Sequence, residues 1–157
     1  MPRSEYSHKI DNKSRIILPQ KIREDMGLKK EGDKFIMTRG LEHCLFVYRT
    51  TEWEEFEKKA LKFPLTNKNA RRFERFFFGG AFEAEIDDQG RTVIPEYLRK
   101  YAGISKEIKS VGLPNRVEIW SMENWLANSG ITDDYADDDL ANDYNMFMTE
   151  INENDNK

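Results

Sequence analysis

Two arginines, each four residues after an aspartate, are the side chains in this sequence best equipped for chemistry on a charged partner. The first stands in Asp11-Asn12-Lys13-Ser14-Arg15-Ile16-Ile17-Leu18-Pro19, and the second, 76 residues later, in Asp87-Asp88-Gln89-Gly90-Arg91-Thr92-Val93-Ile94-Pro95. The chemistry open to them is non-covalent. A guanidinium presents its donors in a rigid fork that meets phosphate oxygens or pairs bidentately with guanine O6 and N7. A carboxylate facing phosphate is costly, whereas one that orients an arginine is useful, so Asp11 and Asp87 read as pins of a turn. Lys13 adds a second cation to the first loop. Bond-making chemistry has little to stand on: His8 and His43 lack metal-ligand spacing to Cys44, and no nucleophile elbow or phosphate-cradling glycine loop is present. No catalytic residue, metal or cofactor is expected, and the chain is not expected to be an enzyme.

The elements around the arginines repeat with them. Phe82, Ala84 and Ile86 alternate with Glu83 and Glu85, which predicts a strand with one apolar face, and Tyr6, His8 and Ile10 match them in the first copy. Turn formers follow, Gly90 being free to take positive φ, and Arg91–Ile94 is expected to return as the second strand of a hairpin. Ser14 stands where Gly90 does. A non-glycine residue in the left-handed region costs on the order of 1 kcal/mol, so an alternative turn places Asn12 there instead. Pro19 and Pro95 suit the first turn of a helix, and Gly27 and Gly103 its end. The spacing predicts two short helices, one after each strand pair.

Beyond the first motif, Lys34–Thr38 and Cys44–Tyr48 read as strands. Thr51 with Glu54 makes a capping box for a helix that aligns Trp53, Phe56 and Ala60. Pro64 ends it, and Thr66 caps a helix over 67–78 with Ala70, Phe73, Phe76 and Phe77 on one side and Lys68, Arg71, Arg72 and Arg75 on the other. That basic side is either a solvated face or a surface for acids or phosphate. In the second copy Glu107–Val111 and Arg116–Trp120 are the matching strands, with Trp120 answering to Tyr48 and Trp125 to Trp53 at an offset of 72. The boundaries are 1–62 for the first repeat, 63–78 for a linker helix, 79–127 for the second repeat and 128–157 for an acidic, mostly disordered tail. Within that tail, 143–151 can form a turn or two of helix.

Net charge is −4, but the distribution is uneven. From Leu126 to Lys157 there are nine acids and one base, a net of −8, which leaves +4 on residues 1–125. A partner of negative charge is permitted at the N-terminal half. Units of roughly 50–60 residues bury too little surface alone, so the halves are expected to share one core or to oligomerise. Cys44, the single cysteine, reads as a small buried hydrophobe. No apolar run approaches the ~20 residues of a membrane span, and no leader is evident, so the expected location is the cytosol.

Together the tandem acid-three-arginine motifs, the Arg39-Gly40-Leu41 turn into Cys44-Leu45-Phe46-Val47-Tyr48, Ala70-Arg71-Arg72-Phe73, and Asn115-Arg116-Val117-Glu118-Ile119-Trp120 resemble the MraZ family over residues 1 to about 125. The resemblance implies an α+β, β-rich fold of two tandem βαββ-type swapped-hairpin units, AbrB-like, interlocked in one small barrel-like domain with flanking helices. It also implies a ring-forming homo-oligomer that binds double-stranded DNA at repeated promoter boxes, regulates transcription of the bacterial division and cell-wall gene cluster, and is nucleoid-associated. By the same resemblance a DNA contact passes to Arg15 and Lys13, and then to Arg3 and Arg91, with Asp11, Ser14, Asp87 and Gly90 as structural turn residues. A different reading of the same chain is an oligomeric scaffold that recruits proteins through the basic linker helix or the acidic tail.

Overall fold

The computed structural model describes residues 4–131 and 136–155. Arg3, expected to contact DNA, lies outside the described residues. The chain divides into two units, Met1–Met122 and Glu123–Lys157.

The first unit is a mixed α/β body with a six-stranded, antiparallel sheet. Its elements in order are β1 (Glu5–Lys9), β2 (Arg15–Ile17), α1 (Gln20–Asp25), β3 (Lys34–Arg39), β4 (Leu45–Arg49), α2 (Thr50–Ala60), α3 (Lys68–Phe77), β5 (Phe82–Glu85), β6 (Arg91–Val93), α4 (Glu96–Ala102), β7 (Glu107–Leu113) and β8 (Arg116–Ser121). Sheet order is β1-β7-β8-β4-β3-β5, and β2 and β6 form a separate ribbon. Exchanging each first-half strand for its second-half counterpart reverses that order and leaves every pairing in place. The two halves are therefore related by a pseudo-dyad that runs between β4 and β8 and through the β2–β6 ribbon.

This arrangement corrects the expected local hairpins. β1 pairs with β7 and β5 with β3, while β2 pairs with β6, so the strands flanking each Asp-Arg loop find their ladders in the opposite half. Only the loop joins them, through Asp11 N–H to Arg15 O at 2.9 Å and Asp87 N–H to Arg91 O at 2.8 Å. The physical reason is burial. Ile16, Leu18, Phe35, Leu45, Ile94, Leu98, Ile108 and Ile119, each 0–1 % exposed, belong to one apolar cluster that draws on both halves. Half a cluster would leave each of those side chains partly wet, at about 25 cal/mol for every Å² of apolar surface.

The short helices begin after Pro19 and Pro95, and positive φ at Gly27 (72°) and Gly103 (66°) turns the chain out of them. Two caps differ from expectation. Glu52, not Glu54, accepts from the N-cap residue, which is Arg49, through its N–H at 3.4 Å and its Nε at 2.8 Å. Asn67, not Thr66, caps α3: its Oδ1 accepts from Asn69 and Ala70 N–H at 2.9 and 3.1 Å. The cap of α2 thus lies two residues earlier than expected, and that of α3 one residue later.

The second unit contains α6 (Asp138–Asp155), preceded by α5 (Met122–Asn128), which begins on the last residue of the first unit. α6 is longer than the turn or two expected over 143–151. Asp137 caps it by accepting from Leu140 N–H at 2.8 Å, and Asp138 and Asp139 place negative charge at its positive end. Local capping thus favours helix in a segment whose composition alone reads as disordered. Among the described residues no helix is long and apolar enough to cross a membrane.

Candidate nucleic-acid interface

The site is built on the β2–β6 ribbon. Its register sets Arg15 against Val93, Ile16 against Thr92 and Ile17 against Arg91. Period-2 alternation turns Ile16 and Thr92 inward, at 1 % and 2 % exposure, and sends Arg15, Ile17, Arg91 and Val93 to the outer face. Arginines therefore occupy two diagonal corners of the ribbon, and exposed aliphatics the other two. Cross-half bonds brace the ribbon's ends: Leu18 N–H to Gly90 O at 3.1 Å and Ile94 N–H to Ser14 O at 2.9 Å.

Each arginine is held by its own aspartate. Asp11 Oδ1 accepts from the N–H groups of Lys13 and Arg15, both at 2.9 Å, and Oδ2 accepts from Arg15 Nε at 2.8 Å. Asp87 repeats this with Gln89 and Arg91 N–H at 2.8 Å and Arg91 Nε at 2.6 Å. Because Nε is the atom engaged, each guanidinium is aimed while its terminal nitrogens lie farther out. The pins leave their mark on the carboxyls. Bonds from Arg15 and Lys13 N–H, with the Arg15 side chain, hold Asp11 below the usual carboxylate range against some desolvation. At Asp87 desolvation is the largest single influence and pulls upward, but the bonds from Arg91 and Gln89 together outweigh it and the pKa is lowered.

Ser14 itself takes the left-handed conformation, φ 61°, beside 76° at Gly90, so the turn does not pass that role to Asn12. The two loops share one shape, and the first carries the strain. Ser14→Gly is expected to raise stability by up to about 1 kcal/mol, the αL penalty less the added unfolded-state entropy of glycine. Denaturant titration of the variant checks this, and a lower midpoint at unchanged slope would contradict it. Gly90 has a second constraint: a Cβ there would fall 2.5 Å from Arg23 Nη1.

The structure thus brings Arg15 and Arg91 together on one ribbon and puts Lys13 at an exposed loop tip beside them. Both arginines line a cleft of about 350 Å³ with Glu31, Glu85 and Asp87 on its wall. Sequence reading missed Ile17 and Val93 as site residues, although each stands two positions after its arginine, where alternation returns to the same face. It also missed Arg23 and Arg99, whose Nε atoms donate to Leu18 O at 2.9 Å and Ile94 O at 3.0 Å and support the ends of the ribbon. Their 76-residue spacing was the available signal. Arg71 of the basic helix donates to Leu65 O at 2.7 Å, which gives that cation a structural task.

The remaining titratable candidates are structural. Cys44 is 0 % exposed, its Sγ donates to Leu41 O at 3.0 Å, and burial pushes the thiol pKa well up, as befits a small buried hydrophobe. His8 Nε2 lies 2.7 Å from Ser110 Oγ, and burial holds its pKa down. A histidine depressed on folding contributes stability that is present above its unfolded value near 6.5 and is lost as pH falls through the folded value; the aspartates do the same below about 3.9. Melting temperature is therefore expected to hold between about pH 7 and 8, decline below about 6.5 and decline again below about 4. His8→Gln should remove the first step alone, and a melt series that keeps both steps in this variant assigns the first elsewhere.

A family model described as "MraZ protein, putative antitoxin-like" matches residues 1–76 and 77–130, one copy to each half. The "Transcriptional regulator MraZ" of Halothermothrix orenii is 54 % identical over 121 residues, 77 % of this chain and 81 % of that protein. That of Clostridium tetani is 50 % identical over 131 residues, 83 % of this chain and 89 % of the other. That of Clostridium botulinum (strain Eklund 17B / Type B) is 44 % identical over 149 residues, 95 % of both.

Proposed function

The chain belongs to the MraZ family, and on that premise we propose that it is a sequence-specific DNA-binding regulator of transcription that reads its target through the outer face of the β2–β6 ribbon. The observation that carries this reading is the pairing of Arg15 and Arg91 with Ile17 and Val93 on one face. A two-stranded ribbon fits the major groove of B-DNA; arginine there meets guanine O6 and N7, and aliphatic groups meet the thymine methyl. Lys13 at the loop tip reaches phosphate. The second loop has Gln89 where the first has Lys13, and Asp88 beside it, so the first loop leads and the second contributes Arg91 and completes the fold.

The finer architecture belongs to the same proposal. The two halves are swapped-hairpin units of AbrB type, 1–62 and 79–127, joined by the 63–78 linker, and the protein acts as a homo-oligomeric ring on repeated promoter boxes of the division and cell-wall gene cluster, in the cytoplasm and on the nucleoid. A ribbon with a few cations is a weak binder alone. Several copies at the spacing of several boxes raise affinity by ~10² to 10⁴ without a new contact.

The test is a titration of promoter fragments carrying one, two or three boxes over a range of salt. Affinity is expected to climb steeply with box number and to fall linearly on a log–log plot against salt, by about 0.9 for each phosphate neutralised. Equal affinity for shuffled DNA, or no dependence on box number, would sink the proposal.

A further inference from the structure

The serine in the first Asp-Arg loop is a side chain that the fold does not need. Ser14 and Gly90 hold the same place in loops that are bonded alike: each N–H reaches the carbonyl of its own aspartate, Asp11 or Asp87, at 3.1 Å, and each aspartate side chain accepts from the same two backbone N–H positions. Glycine fills that role at φ 76° without strain, whereas serine at φ 61° keeps a Cβ in the region that L residues avoid. The Ser14 backbone is fully engaged, its N–H by Asp11 O and its C=O by Ile94 N–H at 2.9 Å. Its hydroxyl has no hydrogen-bond partner among the described residues, and the residue is partly exposed, while Gly90 is buried. A hydroxyl kept against backbone strain, with no task inside the fold, points to contact with a partner.

The groups around the hydroxyl narrow that partner to an anion. Lys13 and Arg15 flank it in the chain. A third cation reaches the same end of the ribbon from α4. The pseudo-dyad carries Arg23, whose Nη1 would lie 2.5 Å from a Cβ on Gly90, onto Arg99; Arg23 Nε donates to Leu18 O and Arg99 Nε to Ile94 O, the residue bonded to Ser14. The acids nearby are accounted for. Asp11 is occupied by the N–H groups of Lys13 and Arg15 and by Arg15 Nε. Glu31, Glu85 and Asp87 line a cleft with Arg15 that does not include Ser14.

We propose that the Ser14 hydroxyl donates a hydrogen bond to a phosphate oxygen of the DNA backbone at the Arg15 end of the ribbon, a contact that the Gly90 end cannot make. The inference rests on the DNA reading given above and adds to it a residue that otherwise serves only as a turn former. A hydroxyl can donate and a phosphate oxygen can only accept, so the direction of the bond is fixed. Serine is among the side chains that meet phosphate, where the contact sets the register of the protein on the duplex and carries no sequence information. Because the backbone on both sides of Ser14 is already bonded, the donor is held in place before DNA arrives and little ordering is needed on binding.

Full-length Ser14→Ala and Ser14→Gly chains, titrated beside the parent and Arg15→Ala on box-bearing and shuffled DNA over a range of salt, test it. Both serine variants are expected to bind roughly 10-fold more weakly, by the same factor on the two DNAs. Their salt slopes should equal that of the parent, since a neutral hydroxyl releases no counterion, in contrast to Lys13→Ala. Stability separates the two variants: the denaturant midpoint rises in Ser14→Gly, which relieves the strain, and does not rise in Ser14→Ala, which keeps the Cβ. Weaker binding by both therefore follows from the hydroxyl and not from stability. Parental affinity in either variant, or a loss confined to box-bearing DNA, overturns the phosphate contact. The DNA reading fails separately, through an Arg15→Ala chain that still prefers the boxes.

Discussion

On the proposed function, replacing Arg15 by alanine is expected to remove binding to promoter boxes and to leave the oligomer intact. The lost contact is a bidentate arginine, worth about 1–3 kcal/mol of discrimination at each site, or roughly five- to 150-fold. With several subunits engaged at once the loss multiplies, and affinity should fall to the nonspecific background. Alanine removes the Nε bond to Asp11 Oδ2 together with the terminal nitrogens, but that pair is partly exposed and its loss costs the fold little. Asp11 still caps the loop through its bonds from the N–H groups of Lys13 and Arg15, which alanine retains. Melting temperature should therefore stay close to that of the parent, and hydrodynamic radius should match it. Lys13→Ala should weaken binding uniformly across sequences and lower the salt slope by about one phosphate. Electrophoretic shift with specific and shuffled DNA separates the two, and an Arg15→Ala chain that still prefers the boxes would remove this residue from the reading face.

The second large effect concerns the chain's halves. Residues 1–78 expressed alone are expected to be unfolded at low concentration, because β1, β2, the outer edge of β3 and one side of β4 all look to the second half for partners. The repeats are units of sequence and not units of folding. Pseudo-dyad geometry supplies a second expectation: β2 can pair with β2 of another copy, and β4 with β4, so folding should return as concentration rises. Circular dichroism and sedimentation over a hundred-fold dilution check both parts. A concentration-independent, folded monomer would show that each half closes its own core.

Much of this design is legible in the residues because it is written locally. Alternation around Ala84, turn formers before Arg91, and proline and glycine at the helix limits each act within a few positions, and the structure places strands and helices there. Pairing partners are not local. A strand with one apolar face states that it needs a core but not whose, so the expected hairpins gave way to ladders between halves. Cap positions slipped by a residue or two for a related reason: Arg49, Glu52 and Asn67 compete with equally suitable neighbours, and backbone direction at the helix entry decides among them. At the site, the aspartate pins and the arginines were readable from spacing. Ile17 and Val93 were overlooked because aliphatics after an arginine read first as core.

The pseudo-dyad through the ribbon has unequal ends. In a dimer of identical chains every change in one loop is copied in the other, and the face presented is the same after a half turn. Here one covalent chain supplies both loops, and they differ: Asn12, Lys13 and Ser14 at one end, Asp88, Gln89 and Gly90 at the other. The Arg15 corner and the Arg91 corner can be matched in shape, as the φ values of Ser14 and Gly90 show, while being unlike in charge. A duplex lying along this ribbon meets a cationic end and an anionic one, so turning it end for end changes what it touches. Such a face has polarity. On the proposed function, a target read through it would have a direction along the DNA and need not be a palindrome, and several copies set in a row would impose the same heading on every box.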